Sequence, residues 1–385
     1  MKLLFFQIKP TSYESYLYFS EALAAEFRKV GRETVFFRAA EEPLEAMERF
    51  RGQHFDAVID FNSVLPKVTT EEDGFFLDTI DAPFFNVILD HPLYHHNMLK
   101  QELNNYHVLC LDVNHADYLK TYYPHLKSVH LFPMTGSPAE EEIPFEKKEI
   151  SLLFTGSYTS PAEVRDAITK IPPFMQEQVN ALIERIEDDP SLTIEAAAKE
   201  LFSDTIVTEL FPLHMQAFFL ADTYLRAAVR DRILHTIVSS GLPLTLCGNG
   251  YEKAPFYAEK KAVFLPEISF SETFALMARA KVTMNILPLF RNGVHDRIFS
   301  AMLNGSAVLT DRSGWLTSHF KDCEQLFFYD YTKDALQTLP DRIASLLSSE
   351  DQLRSVAEAG KKEAFLRHTW EKRCETFLEI LSAVS

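Results

Sequence analysis

Short apolar runs of strand length recur through the first third of the chain, at residues 3–8, 34–37, 57–61, 84–89, 108–111 and 128–132, and stretches with helical spacing separate them. Parallel strands need long crossovers, so this alternation predicts a parallel sheet wrapped by helices. In the first such helix Tyr16, Phe19, Leu23, Phe27 and Val30 share one face, and Gly31 stands where a helix would end.

A second alternating series occupies residues 150–154, 244–247, 263–265, 282–286, 307–309 and 326–329. The gap between its first two runs is far longer than an ordinary crossover, so residues 161–240 read as an inserted helical subdomain. Its apolar residues, Leu210, Phe211, Phe218, Phe219 and Leu220 among them, read as core. Between the two series the chain turns to Pro, Gly, Ser and Glu, which marks residues 136–148 as a linker. Near the end, Trp370, Cys374, Phe377 and Leu381 make one apolar stripe. The expectation is an α/β protein of two Rossmann-like domains facing across a cleft, at residues 1–135 and 149–365, with a closing helix at 366–385.

Composition narrows the function. A length of 385 residues exceeds what one core usually supports, and 46% hydrophobic residues can fill two. A net charge of −17 repels phosphate backbones and anionic lipid heads, which argues against nucleic acid and membrane as main partners. Cys110, Cys247, Cys323 and Cys374 are too scattered for zinc spacing or a disulfide framework and read as reduced core thiols. No run approaches a membrane span, and the apolar N-terminus lacks a cleavage site, so a cytoplasmic location is expected.

Ligands of open parallel sheets bind beyond the carboxyl ends of the strands, which directs attention to the residues that follow each run. Gly156 and Ser157 follow the first run of the second series, Gly248 and Asn249 the second, and Glu267 and Ile268 the third. Each pair serves equally as a plain turn. In the segment from Gly293 through Val294, His295, Asp296 and Arg297 to Ser300, a glycine precedes an apolar helix. Helix-tip amides beside an arginine suit a nucleotide diphosphate, with Arg230 as a second cation. In the first half, Asp90, His91, His95 and His96 follow the run at 84–89, and Asp90, His91 and His95 are the candidate catalytic residues, an imidazole serving as base.

The stretches 221–226 through Arg230, 247–251, 280–286 and 293–311, in this order, resemble the GT-B glycosyltransferases, and more closely the CgeB-like (spore-maturation type) bacterial family. The resemblance covers about the last 170 residues of the chain. It implies transfer of a sugar from a nucleotide-diphosphate donor, a UDP-sugar by preference, to a protein or glycan acceptor, with no cofactor beyond that co-substrate. It adds Asn285 and Val294 to the donor-binding set, places donor and acceptor on opposite domains, and returns the final helix to the first. No bound metal is implied, and no Asp-x-Asp motif occurs in the chain. Ser300 stands where many relatives have a glutamate that touches the donor ribose. That departure keeps open a lapsed nucleotide-sugar-binding or scaffolding protein, and a nucleotide-sugar epimerase is a further alternative. A homo-oligomer is compatible with the sequence.

Overall fold

The computed structural model describes residues 1–8, 15–70, 74–204 and 206–384, which divide into two units, 1–134 with 369–385 and 135–368. The first contains a six-stranded parallel sheet ordered β2-β1-β3-β4-β5-β6, made of β1 (Lys2–Gln7), β2 (Glu33–Arg38), β3 (Ala57–Phe61), β4 (Phe84–Val87), β5 (Tyr106–Cys110) and β6 (Ser128–Leu131). Tyr16, Phe19, Leu23 and Phe27 of helix Ser15–Lys29 are buried, whereas Val30 lies past the helix end and is exposed. Gly31 ends this helix at φ +75°, where Arg32 N–H reaches back to the Phe27 carbonyl at 2.9 Å.

The final helix, Trp370–Val384, belongs to this unit. Its apolar stripe supplies the burial that its length alone could not stabilise. Phe377 meets Phe27, Phe85 and Phe132 at ring separations of 5.4, 5.0 and 6.3 Å, and Trp370 meets Phe19 at 5.7 Å. Burying one phenylalanine side chain is worth about 2–3 kcal/mol.

The second unit holds β7 (Ile150–Thr155), β8 (Leu244–Cys247), β9 (Val263–Leu265), β10 (Ala280–Asn285), β11 (Ala307–Asp311) and β12 (Phe327–Tyr329), in the parallel order β12-β11-β10-β7-β8-β9. The chain leaves β7 toward one edge and returns at β10 on its other side. The strand order therefore reverses between β7 and β10, and their carboxyl ends leave a crevice. Helix Phe219–Ser239 is not part of a separate subdomain, as the sequence suggested. Its Val229, Ile233, Leu234, Ile237 and Val238 share the core with Leu152, Leu246 and Met284, so it is the β7–β8 crossover. The insertion is the shorter stretch of helices before it, from Pro161–Thr169 to Phe211–Ala217. Phe211, Phe218 and Leu220 are core as expected, but Leu210 and Phe219 are exposed.

Residues 136–148 are not a free linker but part of the second unit. Ala139 N–H donates to Asn304 Oδ1 at 2.7 Å, and Phe145 joins the core. The Lys148 ammonium donates to the carbonyls of Ala278 and Asn304, at the C-terminal ends of two helices, where a cation is favoured. Of the four cysteines, Cys323 departs from the expected core thiol and is exposed.

Two outcomes follow from this packing. Gly248, at φ +146°, presses on the loop after β7: a β-carbon there would stand 2.7 Å from the carbonyl carbon and oxygen of Gly156. Gly248→Ala should cost about 2–3 kcal/mol, read as a lower urea midpoint. His107 in β5 is buried between Ser128 Oγ and Asn105 Oδ1, each at 2.8 Å. Burial first, then the His130 and Lys127 charges, pulls its imidazole down to about 4. Its folded form stays neutral, so below about 6.5 the unfolded chain takes up a proton that the folded chain refuses. The contribution is complete above that pH and is lost as pH falls toward 4. Buried His115 acts in the same direction. Burial raises Asp60 and Asp311 to about 7, and their contributions are instead lost as pH rises through 7. The His107 share is isolated by difference: the stability lost between pH 7 and pH 5, measured by denaturant titration, should shrink in His107→Gln.

Candidate functional site

The reversal of strand order brings Thr155, at the end of β7, beside Asn285, at the end of β10, and Arg297 bridges them. Arg297 lies in the first turn of helix Asp296–Leu303. Its Nε donates to Thr155 Oγ1 at 3.2 Å and its Nη1 to Asn285 Oδ1 at 2.8 Å. The guanidinium carbon lies 5.3 Å from the centre of the Phe154 ring, and that of Arg230, from the crossover helix, lies 5.6 Å from the same ring. Arg230 Nη1 also donates to the Ser157 carbonyl at 2.6 Å. Two cations thus converge on the turn at Gly156. A β-carbon on Gly156 would stand 3.3 Å from Phe154 Cζ and 3.4 Å from Arg297 Nη2, so the turn lies close against both the ring and the guanidinium.

The remaining glycine loop is tied to this turn. Gly156 N–H donates to the Cys247 carbonyl at 2.9 Å, Tyr158 N–H to the Asn249 carbonyl at 2.8 Å, and the Tyr251 hydroxyl to the Gly156 carbonyl at 2.6 Å. Asn249 hydrogen-bonds through its side chain to Glu267, which joins the loops after β8 and β9. Glu267 is exposed and Ile268 half-buried beside it.

Gly293 and Val294 occupy a loop that is held from the neighbouring strand rather than a helix start. Leu287 N–H donates to both Asp311 carboxylate oxygens, at 2.9 and 3.1 Å, Ser313 Oγ donates to the Gly293 carbonyl at 2.7 Å, and Gly314 N–H to the Arg291 carbonyl at 2.8 Å. Val294 is fully buried. The helix begins at Asp296, and His295 caps it, its Nδ1 accepting the Arg297 amide at 3.3 Å. That amide is therefore engaged, and the positive charge at this end of the sheet comes from side chains more than from the helix tip. Burial pushes the Asp296 carboxyl up, but the neighbouring His295 and the Arg297 charge outweigh it and hold the carboxyl below its ordinary value.

Two of the expected donor contacts are held by partners within the protein. Asn285 is buried and faces Arg297, Thr310 and the Tyr329 hydroxyl. Ser300 is buried, its hydroxyl donating to the Asp296 carbonyl at 2.9 Å, and a β-carbon on Gly136 would overlap its side chain. Arg226, from the first of the resembling stretches, pairs with buried Asp222 at 2.8 Å.

In the first unit Asp90 and His91 follow β4. His91 caps the short turn Pro92–His95, its Nδ1 accepting Leu93 N–H at 3.0 Å. The His115 ring stands 4.7 Å from that of His91, and His115 is held neutral by burial and then by the charges of His91 and His95. The structure therefore groups His91 and His95 with a third histidine that sequence inspection missed, because it lies on the next helix, Val113–Tyr122. His91 and His95 are only 6% and 8% exposed, and Asp90 is half-buried. His96 turns away to the Tyr123 hydroxyl at 3.0 Å. Among the described residues no group of three or more His, Cys, Asp or Glu side chains could hold a metal ion, and no helix is long and apolar enough to cross a membrane.

Residues 226–379 match the family described as glycosyl transferase-like. No curated protein matches the chain. Among solved structures, the chain is similar to T4 phage BGT in complex with its UDP-glucose substrate, at 12% identity and TM-score 0.56, with 99% of each chain covered. It is similar to sucrose-phosphate synthase from Thermosynechococcus elongatus, at 10% identity and TM-score 0.58, with all of both chains covered. An alpha-glucosyltransferase (AGT) in complex with UDP gives 10% identity and TM-score 0.58, with 99% of this chain and 100% of that one covered. With two six-stranded parallel sheets and neighbours that span its length, the chain has the GT-B type of α/β fold.

Proposed function

We propose that the chain is a glycosyltransferase whose second unit holds the diphosphate of a nucleotide-sugar donor, a UDP-sugar by preference, and transfers the sugar to a hydroxyl of a protein or glycan. One observation carries this reading: two guanidinium groups, Arg297 and Arg230, converge on Gly156 at the reversal of strand order. In the transfer the bond between the sugar's anomeric carbon and the diphosphate oxygen breaks, and its electron pair leaves with the diphosphate. The acceptor oxygen bonds to that carbon and gives its proton to a general base or to the departing diphosphate. The leaving group gains negative charge as the bond stretches, and a forked cation already in place stabilises it without reorganising. The glycosyl transferase-like match over residues 226–379, and the UDP and UDP-glucose bound to two of the similar structures, support the assignment. This proposal needs no metal, since the two arginines supply the charge.

A panel of nucleotide diphosphates and nucleotide sugars, screened by thermal shift, should single out the donor, because a ligand that binds only folded protein raises its melting point. Arg297→Ala should weaken UDP binding by about 1.5–3 kcal/mol, or roughly 10- to 150-fold, by calorimetry. Stabilisation by no nucleotide, or an Arg297→Ala affinity equal to wild type, would remove the basis of the assignment. Buried Ser300 favours a second reading, a donor-binding protein without turnover. Sugar release from the bound donor decides against it.

A further inference from the structure

Arg297 can only donate hydrogen bonds, and that fixes the direction of every bond behind it. Asn285 must turn its oxygen toward Nη1, at 2.8 Å. Its amide nitrogen then faces the other way and donates to Thr310 Oγ1 at 3.0 Å. Having accepted that bond, the Thr310 hydroxyl points its own proton at Asp311, whose carbonyl oxygen is 3.1 Å away and whose Oδ1 is 3.4 Å away. The Asp311 carboxylate is itself anchored by Leu287 N–H, and the Tyr329 hydroxyl donates to the Asn285 carbonyl at 2.9 Å. Asn285, Thr310 and Asp311 are each no more than 1% exposed, so a reversed amide would leave buried groups opposed donor to donor.

We propose that Asn285 and Thr310 are positioning residues for Arg297: they hold its guanidinium across the ends of β7 and β10, toward a diphosphate, without adding a second carboxylate to the Asp296 that its charge already acts on. The proposal rests on the assignment of a diphosphate to this site. The choice of an amide is the informative part. A carboxylate at position 285 would have nearly the same shape and accept the same bond, yet it would neutralise the cation inside a buried ion pair. An amide orients the fork and adds no charge. Thr155 does the same for Nε with a neutral hydroxyl.

The test compares UDP with uridine, because a device that acts on the guanidinium changes recognition of the diphosphate and not of the nucleoside. Binding of both is measured by calorimetry on the full chain for wild type, Asn285→Asp, Thr310→Val and Thr310→Ser, with the melting temperature of each. Asn285→Asp should weaken UDP about tenfold or more while uridine affinity stays within about twofold. Thr310→Val, which removes the hydroxyl that keeps the amide turned, should weaken UDP by a smaller factor, and Thr310→Ser should restore it. Equal losses for UDP and uridine, or an unchanged ratio in a folded Asn285→Asp protein, would overturn the proposal in favour of a merely structural role. If Asn285→Asp does not fold, the Thr310 pair decides by the same ratio. A wild-type protein that binds uridine as tightly as UDP would instead sink the diphosphate assignment itself and the positioning role with it, and that outcome is read before any variant is made.

Discussion

Where the strand order of the second sheet reverses, between the paired strands β7 and β10, the chain leaves the two strand ends toward opposite edges of the sheet, and polar side chains at those ends face the same gap. A guanidinium spans such a gap well, because its donors lie in one plane and point in fixed directions. Arg297 reaches Thr155 on one side and Asn285 on the other, and its face rests near the Phe154 ring. An attraction of about 0.5–2 kcal/mol between a cation and an aromatic face helps hold it there. Arg230 approaches the same ring from the crossover helix, so the first strand, the crossover and the site helix meet at one aromatic side chain. Displacing Phe154 would disturb both cations together with the sheet's core.

The loop that delivers Arg297 is fixed mainly by the strand that follows it. Asp311, Ser313 and Gly314, at the end of β11 and the turn after it, hold Leu287, Gly293 and Arg291 through backbone contacts. Arg291 reaches in turn to the Leu192 carbonyl at 3.3 Å and to the Tyr331 hydroxyl, which ties the inserted helices to the loop. The insertion therefore has a mechanical connection to the site through Arg291. The arginines of the crossover helix and the site helix have separate duties: Arg226 and Arg232 pair with Asp222 and Glu187, and Arg230 and Arg297 flank the crevice.

Most of the fold was legible because β-strands announce themselves locally. Runs such as 108–111 and 307–309 are apolar on both faces, as buried parallel strands must be, and the gaps between runs set the crossovers. Glycines that end strands could be found for the same reason. What local pattern could not show was pairing between distant side chains. Asn285 enters as a donor-binding residue implied by the resemblance, at the end of the run 282–286, and nothing near it in sequence shows that Arg297, twelve positions on, requires its oxygen. His115 gave no signal because it follows a different strand from His91, and the two meet only when β4 and β5 pair. The segment 136–148 has the composition of a linker, yet Gly136 is needed where the chain crosses Ser300, and Lys148 where two helices end. Composition reports how easily a segment bends, and packing decides whether it does.

His295 holds two competing partners on one nitrogen. Its Nδ1 lies 3.3 Å from the Arg297 amide, a donor, and 3.0 Å from Asp296 Oδ1, an acceptor. A ring with Nδ1 unprotonated caps the helix and leaves Asp296 without that bond; a ring with Nδ1 protonated donates to Asp296 and releases the amide. The amide so released sits in the first turn of the helix, next to the guanidinium, where a helix offers its unpaired donors to an anion. The tautomer of one side chain thus sets which of two neighbours, the Arg297 amide or the Asp296 carboxylate, His295 serves.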